Sequence, residues 1–188
     1  MKLEKYPSTG FPNQQSWLDW LHKNHSTNDG IWMRIGKKGA PYPSITYMEA
    51  LDVALCYGWI DGQKRSYDEH FFLQRFTPRR KRSIWSKVNT LKIEALTKEG
   101  KMHPAGLAQV GAAKEDGRWA AAYDSQKTME VPADLLDALA KNKKAQEAFN
   151  ALTASGRYSH LFRIQTAKDA ETRATRIAQI IDVLTGEK

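Results

Sequence analysis

The sequence predicts an α+β fold in which a small antiparallel sheet packs with helices and is followed by an all-helical C-terminal part. Strand-like alternation occurs only in the first half of the chain, capped amphipathic helices surround it, and no strand signal follows Pro132. We expect an α+β domain over 1–125, which contains the WIDG and RFTPRR segments. A helical part over 130–188 follows and can share the same core.

The first elements are a helix and a strand. Residues 14–25 carry apolar side chains at the spacing of an amphipathic helix, and Asn13 precedes them as an N-cap. Apolar residues alternate over 31–35, which is the period of a half-buried strand.

A second helix is predicted over 47–57. Thr46 and Glu49 have the spacing of a capping box, in which each side chain satisfies a free amide of the first turn. The helix is apolar on most sides, so it is expected to be buried. Gly58 follows it and can adopt the positive φ that ends many helices.

The middle of the chain predicts a hairpin and then a helix. Residues 59–60 open a strand that meets a turn at 61–62, and a further strand covers 70–76. That strand places Arg75 on a partly apolar face, where a charge needs a partner. Ser83 is the expected cap of the helix that follows.

Further helices complete the prediction. Pro104 occupies a favoured first-turn position of a helix after Gly100, and Gly117 is expected to break the chain before a short helix. Beyond Pro132 the apolar spacing predicts two short helices separated near Asn142 and two longer ones after them.

Positive charge is concentrated in one part of the chain. The formal net charge is +8, and residues 61–101 hold 11 Lys and Arg against 5 Asp and Glu, which accounts for +6 of it. A local excess of this kind suits an anionic partner, although a solvated basic loop is the plain alternative.

The candidate binding residues lie in the stretch from 59 to 86. Asp61 can hold the guanidinium of Arg75 or Arg79 and orient it toward an anion, while free amides at a following helix start add affinity. The alternatives are ordinary Asp-Gly turn chemistry for Asp61, inward packing for Trp85 and solvated basic side chains. The full candidate set is Trp59, Asp61, Arg75, Arg79, Arg80, Arg82, Trp85 and Ser86.

Several kinds of chemistry are not indicated. We find no phosphate-binding glycine motif and no nucleophile elbow, and we predict no catalytic residue, metal site or cofactor. His22 and His25 read as surface residues, the other histidines are isolated in sequence, and Cys56 reads as a buried hydrophobe. No stretch is apolar enough to span a membrane and the N-terminus lacks a signal-peptide pattern, so a cytoplasmic protein is expected.

Six segments of the chain form a recognisable set: EALDVALCYGWIDG (49–62), LQRFTPRR (73–80), SIWSK (83–87), GRWAAAYD (117–124), RIQTAK (163–168) and ETR (171–173). They closely resemble the signature of the YdeI/OmpD-associated family of bacterial proteins, and the likeness extends over nearly the whole chain. The resemblance implies a link to bacteriocin or antimicrobial-peptide protection and to association with an outer-membrane porin. It implies no enzymatic activity and assigns no catalytic residue.

Three functions follow as hypotheses. The first is a non-enzymatic binding protein, linked to envelope stress or bacteriocin protection, that binds an anionic small molecule or an acidic protein through the basic surface. The second is nucleic-acid binding through the same surface, against which stands the lack of a helix-turn-helix or RNA-binding signature. The third is an enzyme that acts on a small anionic metabolite, with Asp61 as acid or base.

Overall fold

A computed structural model of the chain describes residues 8–187, which separate into two compact units. The first holds the described residues up to Trp85 together with Asn89–Ala121, and the second holds Ser86–Val88 together with the residues from Ala122 onward.

Among the described residues, the strands all lie in the first half of the chain. In order the elements are β1 (Ser8–Gly10), α1 (Gln14–Asn24), β2 (Ile31–Gly36), α2 (Tyr47–Cys56), β3 (Trp59–Ser66), β4 (Phe71–Pro78), α3 (Lys87–Lys98), α4 (Pro104–Glu115), α5 (Ala133–Ala140), α6 (Lys143–Ala151), α7 (Ala154–Gln165) and α8 (Ala170–Thr185).

Within residues 8–187 the strands form one sheet in the order β1-β2-β4-β3. The β2–β4 and β3–β4 pairs are antiparallel, whereas β1 runs parallel to β2. The predicted α+β class with a helical C-terminal part is confirmed. The sheet is mixed rather than antiparallel because a short strand, β1, forms before α1, where no element is predicted from the sequence.

The helix-terminus signals predicted at Asn13, at Thr46 with Glu49, at Gly58 and at Pro104 are confirmed. The Asn13 side chain accepts a hydrogen bond from the amide of Ser16, and Thr46 and Glu49 form both bonds of the capping box. Gly58 has a φ of +73°, and Pro104 opens α4. These features depend on neighbouring residues only, so the sequence shows them directly.

The turn predicted at 61–62 is wrong, because β3 continues through it to Ser66. The register shifts between Asp61 and Lys64, so the strand carries a β-bulge at this point. The buried Gln74 side chain donates to the carbonyl of Gly62 at 3.0 Å. This bond satisfies a backbone acceptor of the irregular segment and keeps the strand in place.

The helix starts predicted at Ser83 and after Gly117 are also wrong. Ser83 closes a turn instead: its hydroxyl accepts from the Arg80 amide at 3.0 Å, its amide donates to the Arg80 carbonyl, and α3 begins only at Lys87. After Gly117 the chain forms hydrogen-bonded turns, in which the Trp119 amide donates to the carbonyl of Ala113 at 2.9 Å.

The core of the first unit is built on indole rings. Trp17 and Trp59 are almost fully buried, with ring centroids 6.2 Å apart at an edge-to-face angle, and Trp17 lies 5.7 Å from Phe76 of β4. Each indole nitrogen has a partner, because Trp17 Nε1 donates to the Ala50 carbonyl at 3.0 Å and Trp59 Nε1 to the His25 carbonyl at 3.1 Å. Rings of this size supply much of the apolar burial that such a unit needs.

The second unit has its own apolar core, formed between α5, α6, α7 and α8. No strand occurs from α5 to residue 187, and a short break at Asn142 separates α5 from α6 as predicted. The buried members of the core are Leu135, Leu139, Ala145, Phe149, Leu161, Ile164, Ile177 and Ile180.

Gly106 allows α4 to approach the C-terminal end of α2 closely. A Cβ atom at this position would overlap the carbonyl oxygen of Cys56 and lie 2.8 Å from its carbonyl carbon. Both atoms belong to backbone that cannot rotate away. We therefore expect Gly106→Ala to lower the free energy of unfolding by about 3 kcal/mol, measured by urea denaturation.

Gly111 on the same helix is the matched control, since an added Cβ there meets no atom within 4 Å. We expect Gly111→Ala to raise the free energy of unfolding by about 0.5–1 kcal/mol through helix propensity. Equal effects of the two substitutions would contradict the close approach of α4 and α2.

Candidate functional site

Arg79 and Trp85 form a buried stack at one end of the basic segment. The guanidinium carbon of Arg79 lies 3.4 Å from the centroid of the Trp85 ring, and Arg79 Nη1 donates to the carbonyl of Ile84 at 3.3 Å. Arg79 is 7% exposed and Trp85 is 1% exposed. A cation over an indole face is attracted by the ring quadrupole, and the attraction strengthens away from water. Both side chains are therefore buried against each other, and their role in ligand binding stays a prediction.

A second segment of the chain continues this stack. Trp119 packs against Trp85 with ring centroids 5.1 Å apart, and Lys114 Nζ lies 5.3 Å from the Trp119 ring. Arg118 Nη1 donates to the carbonyl of Ser83 at 3.0 Å. The SIWSK and GRWAAAYD segments, which are far apart in sequence, therefore contact each other through Trp85, Trp119 and Arg118.

Arg118 is itself fixed by a carboxylate. Its Nε lies 2.9 and 2.8 Å from the two oxygens of Asp116, and its Nη2 forms an ion pair at 2.7 Å. The Arg118 guanidinium lowers the pKa of the Asp116 carboxyl through these bonds. The side chain that reaches the Ser83 carbonyl is thus held in one orientation.

The three residues between Arg79 and Ser83 are cationic and exposed. Arg80, Lys81 and Arg82 form what we call the basic turn, closed by the reciprocal bonds between Arg80 and Ser83. Among residues 8–187 none of the three forms an ion pair. Three adjacent cations on a fixed turn make a local positive surface.

The other predicted site residues lie in different surroundings. Trp59 is a core residue with 1% exposure, and Ser86 belongs to the second unit, where its backbone forms an isolated bridge with Tyr123. Asp61 is half-buried and accepts a hydrogen bond from the Tyr47 hydroxyl at 2.8 Å. Arg75 is half-buried on β4. A role for Asp61 in orienting Arg75 or Arg79 stays a prediction.

Sequence reasoning missed a cluster of histidines. His22 and His25 at the end of α1 meet His103, with ring centroids 6.2 and 4.8 Å from the His103 ring. Tyr57 stacks on His103 at 4.5 Å. His103 is the N-cap of α4, and its Nδ1 accepts from the Ala105 amide at 3.2 Å. The sequence signal for the capping role of His103 was its position immediately before Pro104, the first residue of α4.

The surroundings of His103 disfavour protonation of its ring. Burial and the neighbouring His25 and His22 lower the pKa of His103. Protonation of Nδ1 would also remove the acceptor that caps the helix. No group of three potential metal-ligating side chains occurs within the described residues 8–187.

Cys56 carries no sign of nucleophilic activation. It is 6% exposed at the end of α2, and burial together with the charge of Asp52 raises the pKa of its thiol to about 11. A protonated thiol is a poor nucleophile.

Two family models match the chain in succession. Residues 9–109, more than half of the chain, match the model described as Domain of unknown function (DUF8412). Residues 128–186 match the model described as Bacteriocin-protection, YdeI or OmpD-Associated. The N-terminal motifs that resemble the second family thus lie in the part that the first model matches.

Other comparisons add no relative. No curated protein and no solved structure matches the chain significantly. Among the helices of residues 8–187, none combines the length and apolar character needed to cross a membrane.

Replacement of Arg79 tests whether it is structural. We expect Arg79→Gln to lower the free energy of unfolding by about 2 kcal/mol, because the stack on Trp85 and the bond to Ile84 are both lost. Arg82→Gln removes the same charge from the exposed turn and should change stability by less than about 0.5 kcal/mol. Equal, small effects in chemical denaturation would show that Arg79 is solvated like its neighbours.

The His103 cap predicts a pH dependence. Because the pKa of His103 lies below its ordinary value of 6.5 in the fold, the unfolded chain takes up the proton first as the pH falls. The stabilisation is therefore present above pH 6.5 and is lost as the pH decreases through the folded pKa. We expect the protein to lose more unfolding free energy between about pH 8 and about pH 5 than the His103→Asn variant, whose amide caps without titrating. Parallel pH profiles of the two proteins would contradict this assignment.

Proposed function

Because the chain belongs to the family described as Domain of unknown function (DUF8412) and carries a YdeI/OmpD-associated domain at residues 128–186, we propose that it is a binding protein whose basic turn engages an acidic partner protein. The observation that carries the proposal is the set of three exposed cations, Arg80, Lys81 and Arg82, between two anchored residues, Arg79 and Ser83.

The anchoring matters because binding orders flexible side chains and loops at a cost in entropy. The stack of Arg79 on Trp85 and the bond from Arg118 to Ser83 fix the backbone on both sides of the turn before any partner arrives. A preorganised turn keeps more of its Coulomb attraction as affinity.

The exposure of the three side chains supports a protein surface over a small anion as the partner. Small-molecule sites are concave and bury most of the ligand, whereas the basic turn presents its charges outward. Complementary charge at the rim of an interface contributes mainly to association rate and specificity.

The wider role in this proposal is protection against bacteriocins or antimicrobial peptides, in keeping with the description of the C-terminal family. In this proposal the acidic-partner site lies in the N-terminal domain predicted over residues 1–125, and the protein acts in the cytoplasm.

Charge removal at the turn tests the proposal. We expect the variant Arg80→Gln/Lys81→Gln/Arg82→Gln to bind an immobilised polyglutamate peptide about tenfold more weakly than the unchanged protein, because each exposed pair contributes up to about 1 kcal/mol. Binding of the unchanged protein should weaken with added salt. Surface plasmon resonance at low and physiological ionic strength measures both.

The matched control is Lys127→Gln/Lys141→Gln/Lys143→Gln, which removes three exposed charges outside the turn. It should bind polyglutamate like the unchanged protein. Equal losses of affinity for polyglutamate in the two triple variants would show that the basic turn contributes no more to binding than other exposed charges do. Preferential binding of duplex DNA over polyglutamate by the unchanged protein would favour the nucleic-acid alternative.

A further inference from the structure

The second unit contains a cleft that neither the family descriptions nor the basic turn accounts for. Its volume is about 570 Å³, which lies within the usual range of small-molecule sites. Charged, polar and apolar side chains line it together. The lining residues are Lys87, Asp124, Thr128, Met129, Glu130, Val131, Pro132, Ala133, Leu161, Gln165 and Arg173.

Arg173 of α8 is a cation held firmly at the cleft wall. Its Nε and Nη2 donate to the two oxygens of Asp134 at 2.6 and 2.9 Å, and its Nη1 donates to the Ile164 carbonyl at 3.3 Å. These bonds engage three of its five N–H donors, and Asp134 raises the pKa of the guanidinium. The Arg173 side chain lines the cleft, whereas Asp134 is not among the lining residues, and two guanidinium N–H donors remain for a ligand.

Asp124 provides a fixed anion in the same cleft. Its carboxylate accepts from Lys87 Nζ at 2.8 Å and from Gln165 Nε2 at 2.6 Å, and its own amide donates to Gln165 Oε1 at 3.0 Å. Lys87 and Gln165 lower the pKa of Asp124, so the group stays ionised at neutral pH. Its side chain is 19% exposed, which leaves it accessible from the cleft.

The charges of the lining balance. Lys87 and Arg173 are positive, and Asp124 and Glu130 are negative. An anion in the cleft would also meet Asp124 and Glu130, and a cation would also meet Lys87 and Arg173, whereas a molecule with one charge of each sign can pair with both kinds of group. The side chains of Met129 and Leu161 offer it apolar contact.

We propose that this cleft binds a small zwitterion, an α-amino acid or a short peptide, with its carboxylate toward Arg173 and its ammonium toward Asp124 and Glu130. The remaining guanidinium donors suit a carboxylate, whose two oxygens match the spacing of N–H groups on one edge of the fork. Loss of the acidic-partner function of the basic turn would leave this proposal untouched, because the two sites share no residue.

Titration calorimetry of the full chain with the tripeptide Ala-Leu-Ala and with free L-leucine tests the proposal. We expect saturable binding of at least one of the two. Acetylation of the amino terminus or amidation of the carboxyl terminus of the bound probe should each weaken binding at least about tenfold, because a charged hydrogen-bonded pair is lost at one end.

Two variants locate the site. Arg173→Gln should weaken binding of the same probe at least about tenfold, since the carboxylate loses its cation. Because Arg173 also supports the fold through Asp134 and Ile164, Ala133→Phe serves as an independent variant. It places bulk in the cleft from an exposed position without removing a charge, and it should abolish binding. Arg176→Gln, on the same helix but outside the lining, is the control and should bind normally.

Three results would overturn the inference. One is the absence of saturable binding of either probe up to about 10 mM, a concentration that would reveal even a dissociation constant of about 1 mM. Another is equal binding of free and terminally blocked probes, which would show that the terminal ammonium and carboxylate of the probe do not contribute to binding. The third is unchanged binding by the folded Ala133→Phe variant, which would place the bound probe elsewhere.

Discussion

A guanidinium stacked on a buried indole organises the surface to which we assign function. Arg79 is removed from water, and the face of Trp85 together with the Ile84 carbonyl replaces part of its hydration. A buried charge is tolerated only where such contacts compensate for its desolvation. Once Arg79 is committed inward, the next three residues of the run are directed to solvent, and Ser83 closes the turn around them.

The stack of Arg79 on Trp85 also connects the SIWSK and GRWAAAYD segments, which are far apart in sequence. The indole of Trp119 packs against Trp85, and Arg118 Nη1 donates to the carbonyl of Ser83 while its Nε and Nη2 bind the Asp116 carboxylate. The glycine at 117, with a φ of +80°, lets the chain leave α4 and return toward the stack. Each of these residues acts on the basic turn through another group, so none of them needs to contact a partner to matter for binding.

Much of the fold could be predicted from the sequence because helix signals are local. Asn13, Thr46 with Glu49, and Pro104 identify helix starts within four residues of chain. The misassigned positions depend on distant partners. The bulge near Gly62 is supported by the side chain of Gln74, and the turn that Ser83 closes with Arg80 receives a further hydrogen bond from Arg118.

The candidate site was predictable only in outline, for the same reason. Arg79, Arg80 and Arg82 read alike as members of one basic run, and only the contact with Trp85 separates the structural arginine from the exposed ones. Likewise, His103 reads as isolated until α1 and α4 bring it to His25. The sequence shows which residue types are present. Which of them are buried and structural, and which are exposed, depends on tertiary contacts.

The preorganisation of the basic turn can be measured most directly by ¹⁵N relaxation of its backbone amides. If the stack fixes the turn, order parameters at residues 80–83 should be near 0.85, as in rigid backbone, and should fall toward about 0.6 when Trp119→Leu removes the cover over Trp85. Order parameters already below about 0.6 in the unchanged protein, or a turn equally rigid in the folded variant, would contradict the account.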